Sequence, residues 1–370
     1  VPLPPDVLKV LAEPMIHHRT PEFEEIFKRV LNNLKKVFLT TQPVFIHTST
    51  GSGAMESALV NTLSPGDEIL CVISGKFGER WAEMAQSFDL KIHRLNVTWG
   101  EPLKVSDVQK LLHTHPQIKA VLTQACETST GVVHPIQELS EVVSKTPALL
   151  MVDAITALGA LPLPMDDWKL DIVIGGSQKA FMLPTGLSFI ALSERAWKLT
   201  ETARCPRFYF DLRREKKAND SGESFFSTAV AHIKALDAVL NWMMSQGGLA
   251  VIQNRIKDLS EATQAACQEL GLKVFARTPS PSLTAIAMPE FIDGQKVRAE
   301  MEKTHRVTVM GGQDQLKGKV IRMGHMGFIS NEDLHEGLKA LVASINSQKA
   351  GTISAEQMQR AWQAAESFLK

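Results

Sequence analysis

Ile172-Val173-Ile174-Gly175-Gly176-Ser177-Gln178-Lys179-Ala180 runs three β-branched residues into two glycines, with a lysine three positions on. A β-branched run closed by glycines reads as a short buried strand ending at a bend. A lysine delivered there has no easy path to solvent. An amine held in such a cleft has a lowered pKa and can act as a nucleophile. A surface lysine after a strand is the ordinary alternative. The balance shifts because a second apolar run, Ala148-Leu149-Leu150-Met151-Val152, ends on Asp153, 26 residues before Lys179. That separation allows one excursion from strand to strand. A carboxylate at one strand end and a lysine at the next suit pyridoxal 5′-phosphate. The lysine holds the aldehyde as a Schiff base, and the aspartate keeps the ring nitrogen protonated.

Other stretches fit the same picture. Val44-Phe45-Ile46 leads into Thr48-Ser49-Thr50-Gly51-Ser52-Gly53-Ala54, followed by a helical stripe of Met55, Leu59, Val60 and Leu63. A glycine- and serine-rich turn opening a helix is a candidate phosphate site, because free N–H groups and the helix dipole both favour an anion. It lacks the lysine of a nucleotide P-loop. Ile69-Leu70-Cys71-Val72-Ile73 reads as a buried strand delivering Phe77, which either joins the core or stacks on a flat ring. Cys126-Glu127-Thr128-Ser129-Thr130-Gly131 puts hydroxyls at another strand end, suited to a phenolic oxygen or to capping the helix near Pro135. Arg322, in Val320-Ile321-Arg322-Met323-Gly324, is flanked by apolar residues and needs an anion, either internal or brought by a ligand.

Val152-Asp153-Ala154 followed by Gly175-Gly176-Ser177-Gln178-Lys179-Ala180 resembles the class V aminotransferases, with most similarity to the alanine–glyoxylate (serine–pyruvate) subgroup. The resemblance extends from about Pro14 to about Leu341. It implies the fold type I of pyridoxal-phosphate enzymes, with Lys179 and Asp153 catalytic. Gly51, Ser52, Gly53, Phe77, Thr128, Gln178 and Thr228 complete the implied cofactor site. Thr128 would meet the phenolic oxygen, and Thr228 the phosphate held by a neighbouring subunit. Arg322 would take the substrate's α-carboxylate. The implied assembly is a homodimer with shared active sites. The implied reaction moves the amino group of alanine or serine to glyoxylate or pyruvate, with aspartate and 2-aminoethylphosphonate as alternative donors. Phe225 stands where some relatives carry a phosphate-touching tyrosine, and it has no hydroxyl to offer.

A cysteine desulfurase-like lyase would have histidines where Gln178 and Phe77 stand, and a cysteine on a flexible loop; Cys267 lies in a helical pattern instead. A non-catalytic paralogue is disfavoured by the retention of Lys179, Asp153 and Arg322.

Composition sets outer bounds. The chain has 370 residues, and 40 Lys plus Arg balance 40 Asp plus Glu, which argues against a nucleic-acid or membrane partner. Four scattered cysteines lack metal-ligand spacing, so no metal is expected, and they fit a reducing, cytoplasmic setting. No signal peptide or spanning run is visible.

Alternating strand and helix patterns predict a mostly parallel α/β sheet with helices on both faces. Residues 1–20 read as an arm outside the core, 21–246 as the large cofactor-binding domain, and 247–370 as a small α+β domain ending in an extra helix at 353–369. That helix would cover the small domain or a partner. Arg213–Ser224 reads as a loop or mobile lid, Ser227-Thr228 as the cap of a long helix, and Val307–Val309 as a strand.

Overall fold

The computed structural model describes residues 1–369. Its strands are β1 (Val44–His47), β2 (Glu68–Ile73), β3 (Lys91–Asn96), β4 (Ala120–Gln124), β5 (Cys126–Glu127), β6 (Val132–Val133), β7 (Leu149–Asp153), β8 (Ile172–Gly176), β9 (Ser188–Leu192), β10 (Lys273–Val274), β11 (Leu283–Ala287), β12 (Met310–Gly311) and β13 (Val320–Gly324). Seven form the central sheet, in the order β1-β9-β8-β7-β4-β2-β3. The run from β8 to β3 is parallel; at the other edge β9 pairs antiparallel with β8, and β1 pairs antiparallel with β9 and so runs with the parallel set.

Continuous apolar runs explain this burial. Every residue of β4, β7, β8 and β9 is buried. Leu149, Met151, Ile172 and Ile174 join the core on one face, and Leu150, Val152 and Val173 join the core on the other. Both faces are therefore covered, as a parallel sheet requires. The polar strand β3 closes one edge, where Lys91, Arg94 and Asn96 meet solvent.

The helix Pro21–Phe38 follows its sequence signals. Thr20 accepts from Phe23 N at its start, and Phe23, Val30, Leu34 and Phe38 are buried. The helix Lys76–Ser87 lies directly on β2: a Cβ on Gly78 would come 2.5 Å from Val72 O and 2.8 Å from Ile73 Cα. Only glycine allows that approach, which sets where Phe77 stands.

The second sheet is antiparallel, in the order β10-β11-β13-β12. Helices Leu249–Glu269, Gly294–Lys303 and Asn331–Gln348 pack around its own core. The first of these also sends Ile252 and Ile256 into the core of the central sheet. Ser330 opens the Asn331–Gln348 helix with a capping box to Asp333. The extra helix, Ala355–Glu366, covers the small-sheet unit: Ala361 and Ala365 are buried in its core, and Trp362 stacks on His335 at 3.9 Å. Among the described residues no helix is long and apolar enough to cross a membrane.

Four local expectations are corrected. The arm contains a helix, Pro5–Leu11, whose Val7 is buried against the core. The expected lid is largely the helix Leu212–Asp220, pinned by buried Leu212 and Glu215. Thr228 does not cap the helix Val230–Ser245; Thr48 Oγ accepts from Ala229 N instead, at 3.2 Å. Val307–Val309 is not a strand, because Arg306 is left-handed (φ 56°) and Val307 N is taken by Met301 O. Pairing with β13 begins only at Met310.

Gly78→Ala is expected to lower stability by roughly 1–3 kcal/mol, the ordinary cost of overpacking a closed interface. A urea titration of the purified variant measures this. An unchanged midpoint would mean that the helix Lys76–Ser87 can move off β2 freely.

Candidate active site

Strand ends build the site. β7 and β8 pair in parallel, with Asp153 opposite Ile174, so Asp153 and the turn after Gly176 emerge on the same carboxyl-end side. The turn is fixed through Ser177. Its N–H donates to Leu187 O at 3.0 Å, its hydroxyl donates to Pro184 O at 2.7 Å, and its carbonyl accepts from Leu183 N at 3.1 Å. Lys179 is thereby held on a rigid bend. Its amine makes no hydrogen bond or ion pair among the described residues, and burial lowers its pKa, with Arg322 nearby pushing the same way.

Asp153 is buried. Its Oδ1 accepts from Ile155 N at 2.9 Å, and its Oδ2 accepts from no donor among the described residues. Burial pushes its pKa up to about 6, with the Glu127 charge adding to the rise.

The helix Gly51–Thr62 begins at the glycine-rich turn with no side-chain cap; Gly53 N donates to Thr50 O at 2.8 Å, while Gly51 N and Ser52 N have no acceptor among the described residues and are open to an anion. A Cβ on Gly51 would collide with Ile155, so glycine lets this turn sit against the Asp153 strand end. Ser52 Oγ meets Arg80 Nη1 at 3.4 Å. Gln178 Oε1 is buried without a partner. Thr228 Oγ lies 3.3 Å from Thr48 Oγ, just before Ser49 and the turn.

Thr128 Oγ donates to Thr156 Oγ at 2.7 Å. Phe77 is half-buried, and its N–H points at Glu127. Arg322 reaches across from β13: Nη1 donates to Thr128 O at 2.8 Å and Nε to Gly311 O at 3.1 Å. Nη2 has no acceptor and no carboxylate pairs with Arg322 among the described residues. Phe225 is exposed and stacks edge-on to Phe226.

Three residues escaped the sequence reading. Glu127 is fully buried and accepts from Phe77 N, Gly78 N, Ser129 N and Ser129 Oγ. Thr156 partners Thr128, and Arg80 touches both Ser52 and Phe77. Arg80 had a signal, since three helical positions after Phe77 share a face. Glu127 and Thr156 had none beyond adjacency to Thr128 and Asp153.

An unpaired amine of lowered pKa, a buried carboxylate with one oxygen unmatched and an uncapped helix start fit one ligand type. It has an aldehyde, a protonatable ring nitrogen and an anionic tail. Fold and site together define a pyridoxal-phosphate-dependent aminotransferase of fold type I. The family described as Aminotransferase class-V matches residues 8–359, and the chain belongs to that family. It is 40% identical to the soluble hydrogenase 42 kDa subunit of Anabaena cylindrica, over 90% of this chain and 88% of that protein. It is 33% identical to a serine–glyoxylate aminotransferase of Methylorubrum extorquens, over 90% of this chain and 86% of that one. The ureidoglycine–glyoxylate aminotransferase structure from Bacillus subtilis superposes with a TM-score of 0.92 at 27% identity, covering 100% of this chain and 95% of that one.

The raised Asp153 pKa has a stability signature. Between the unfolded value near 3.9 and the folded value of about 6, the folded state binds more protons, so stability falls as pH rises through that window. Asp153→Asn in cofactor-free protein is expected to be more stable than the parent at pH 8 by about 1–3 kcal/mol, the gap closing toward pH 4. Chemical denaturation at several pH values reads this. A gap independent of pH would assign the effect to packing.

Proposed function

We propose that this aminotransferase moves the amino group of a small amino acid, alanine or serine, to glyoxylate or pyruvate. Arg322 carries the reading. Its guanidinium is oriented by two backbone carbonyls yet keeps Nη2 without a partner, near the amine of Lys179. A planar fork with open donors in a partly buried site suits a carboxylate. A second substrate acid would need another free cation. Lys76 is tied to Glu79 at 3.1 Å and to Asp314 at 3.2 Å, and Arg80, with no carboxylate partner among the described residues, is turned to Ser52 at the Gly51–Gly53 turn, which favours monocarboxylates over aspartate. The serine–glyoxylate and ureidoglycine–glyoxylate relatives share glyoxylate in their names, which supports that acceptor. A desulfurase-like lyase is not favoured: Cys267 is buried in the helix Leu249–Glu269.

Pyridoxal phosphate, when bound, supplies the electron sink. The chain does the rest. Lys179 Nζ would hold the aldehyde, and its amine is placed to move the proton at the substrate's Cα. Asp153 Oδ2 holds the ring nitrogen's proton. Phe77 would cover the ring, Thr128 would meet its phenolic oxygen, and Gly51, Ser52, Gly53, Gln178 and a partner subunit's Thr228 would hold the phosphate. Arg322 fixes the substrate's carboxylate. We read residues 1–20 as an arm, 21–246 as the large domain and 247–370 as the small one. Four buried free thiols support a cytoplasmic setting.

Arg322→Ala should weaken the half-reactions with alanine, serine and glyoxylate together, by about 2–5 kcal/mol each, while cofactor affinity holds. Arg322→Lys should recover part of the loss. Stopped-flow half-reactions with each substrate test this. Loss of cofactor with normal amino-acid binding after reloading would make Arg322 structural.

We also propose a homodimer. Phe208, Tyr209 and Phe225 expose an aromatic surface beside the Thr48–Thr228 contact, and such a patch is a natural interface core. Sedimentation velocity should give a dimer. A fully active monomer at low concentration would overturn the shared-site reading.

A further inference from the structure

Arg80 lies one helical turn beyond Phe77, so both side chains leave the helix Lys76–Ser87 on one face. Its Cζ sits 4.8 Å from the Phe77 ring centroid, and Nη1 reaches Ser52 Oγ at 3.4 Å, at the weak limit of a hydrogen bond. No carboxylate pairs with Arg80 among the described residues. Arg29, Arg195 and Arg213, by contrast, are each forked onto an aspartate. A half-buried guanidinium with one long contact has donors in reserve. Those donors face the uncapped start of the helix Gly51–Thr62.

Charge supplies the second half. A phosphate monoester brings between one and two negative charges. The groups around Gly51–Gly53 are otherwise neutral: backbone N–H groups, the hydroxyl of Ser49, and the proposed contributions of Gln178 and a partner subunit's Thr228. Lys179 is committed to the aldehyde. Among the described residues Arg80 is the only cationic side chain that the hydrogen-bond network brings to this turn. Its position also brings it within electrostatic reach of Asp153.

We propose that Arg80 is a phosphate-binding residue of this enzyme, closing the Gly51–Gly53 turn with a charge-assisted contact to the cofactor's phosphate. The inference rests on that turn being the phosphate site. Guanidinium and phosphate are geometrically matched, which an ammonium at the same place would not be.

The test titrates full-length enzyme, stripped of cofactor, with pyridoxal 5′-phosphate and separately with pyridoxal, which lacks the phosphate. Thermal protection by inorganic phosphate is measured alongside. Arg80→Met should weaken the phosphorylated ligand roughly 10- to 100-fold, the range for losing a hydrogen bond to a charged group, and leave pyridoxal unchanged. Phosphate protection should fall in the same variant, and Arg80→Lys should lie between. Ser52→Asp places an anion in the turn and should also discriminate against the phosphorylated ligand. Equal losses for both ligands in Arg80→Met would make Arg80 a mere support for Phe77 and overturn the proposal, as would no loss. If Ser52→Asp discriminates and Arg80→Met does not, Arg80 alone is wrongly assigned. If neither variant discriminates, the phosphate turn itself is misread. Should Arg80→Met fail to fold, Arg80→Gln and Arg80→Lys carry the same comparison.

Discussion

A carboxylate with no exposure to water organises the mouth of the site. Burying Glu127 is costly and pushes its pKa up, and the burial is tolerable only because donors converge on it. Two come from the start of the helix Lys76–Ser87, through Phe77 N and Gly78 N. Two come from Ser129, through its N–H and hydroxyl. The helix start also favours a negative charge through its dipole. One side chain from the β5–β6 hairpin thus locks Phe77, in the first turn of the helix after β2, to the loop that carries Thr128. Gly78 completes the lock by letting the helix lie against β2.

That lock reaches the second sheet. Thr128, next to Glu127, gives its carbonyl to Arg322 on β13 and its hydroxyl to Thr156, just past Asp153. Ser282 Oγ donates to Thr156 O at 2.5 Å, and Ser280 N donates to Gly131 O at 2.8 Å. Lys76 adds an ion pair to Asp314, in the turn between β12 and β13. The two sheets therefore meet through backbone carbonyls, which hold a guanidinium in place without neutralising it. A carboxylate partner at Arg322 would have filled the same space and removed its free charge.

Three charged groups are left under-partnered at one place: Lys179, Asp153 and Arg322. Burial opposes the charged form of each; Asp153 and Lys179 partly offset one another, while Arg322 adds to the cost of charging Lys179. Such a set is unfavourable by itself, and a ligand bringing an aldehyde, a ring nitrogen and a carboxylate would satisfy it, in keeping with the proposed roles. Uncompensated buried charge marks a functional site more sharply than shape does.

Local chemistry made much of this legible. Apolar runs ending in Asp153 and in the Gly175-Gly176 bend show two buried strands, and glycines before a helical stripe show an anion-ready helix start. Period and turn residues act over a few positions, so the helix opening at the Gly51–Gly53 turn and the extra helix within 353–369 followed directly. Where a partner comes from far along the chain, local pattern fails. The polar run is helical as far as Asp220 because Leu212 and Glu215 find buried places. The cap expected from Thr228 comes from Thr48, 181 residues away from the amide it accepts. Glu127 and Arg80 gain their importance from which groups folding brings to them. Residue types and spacing determined which chemistry this protein can carry. Only tertiary structure decided which charges stay unpaired, because pairing depends on the third dimension and not on neighbours in sequence.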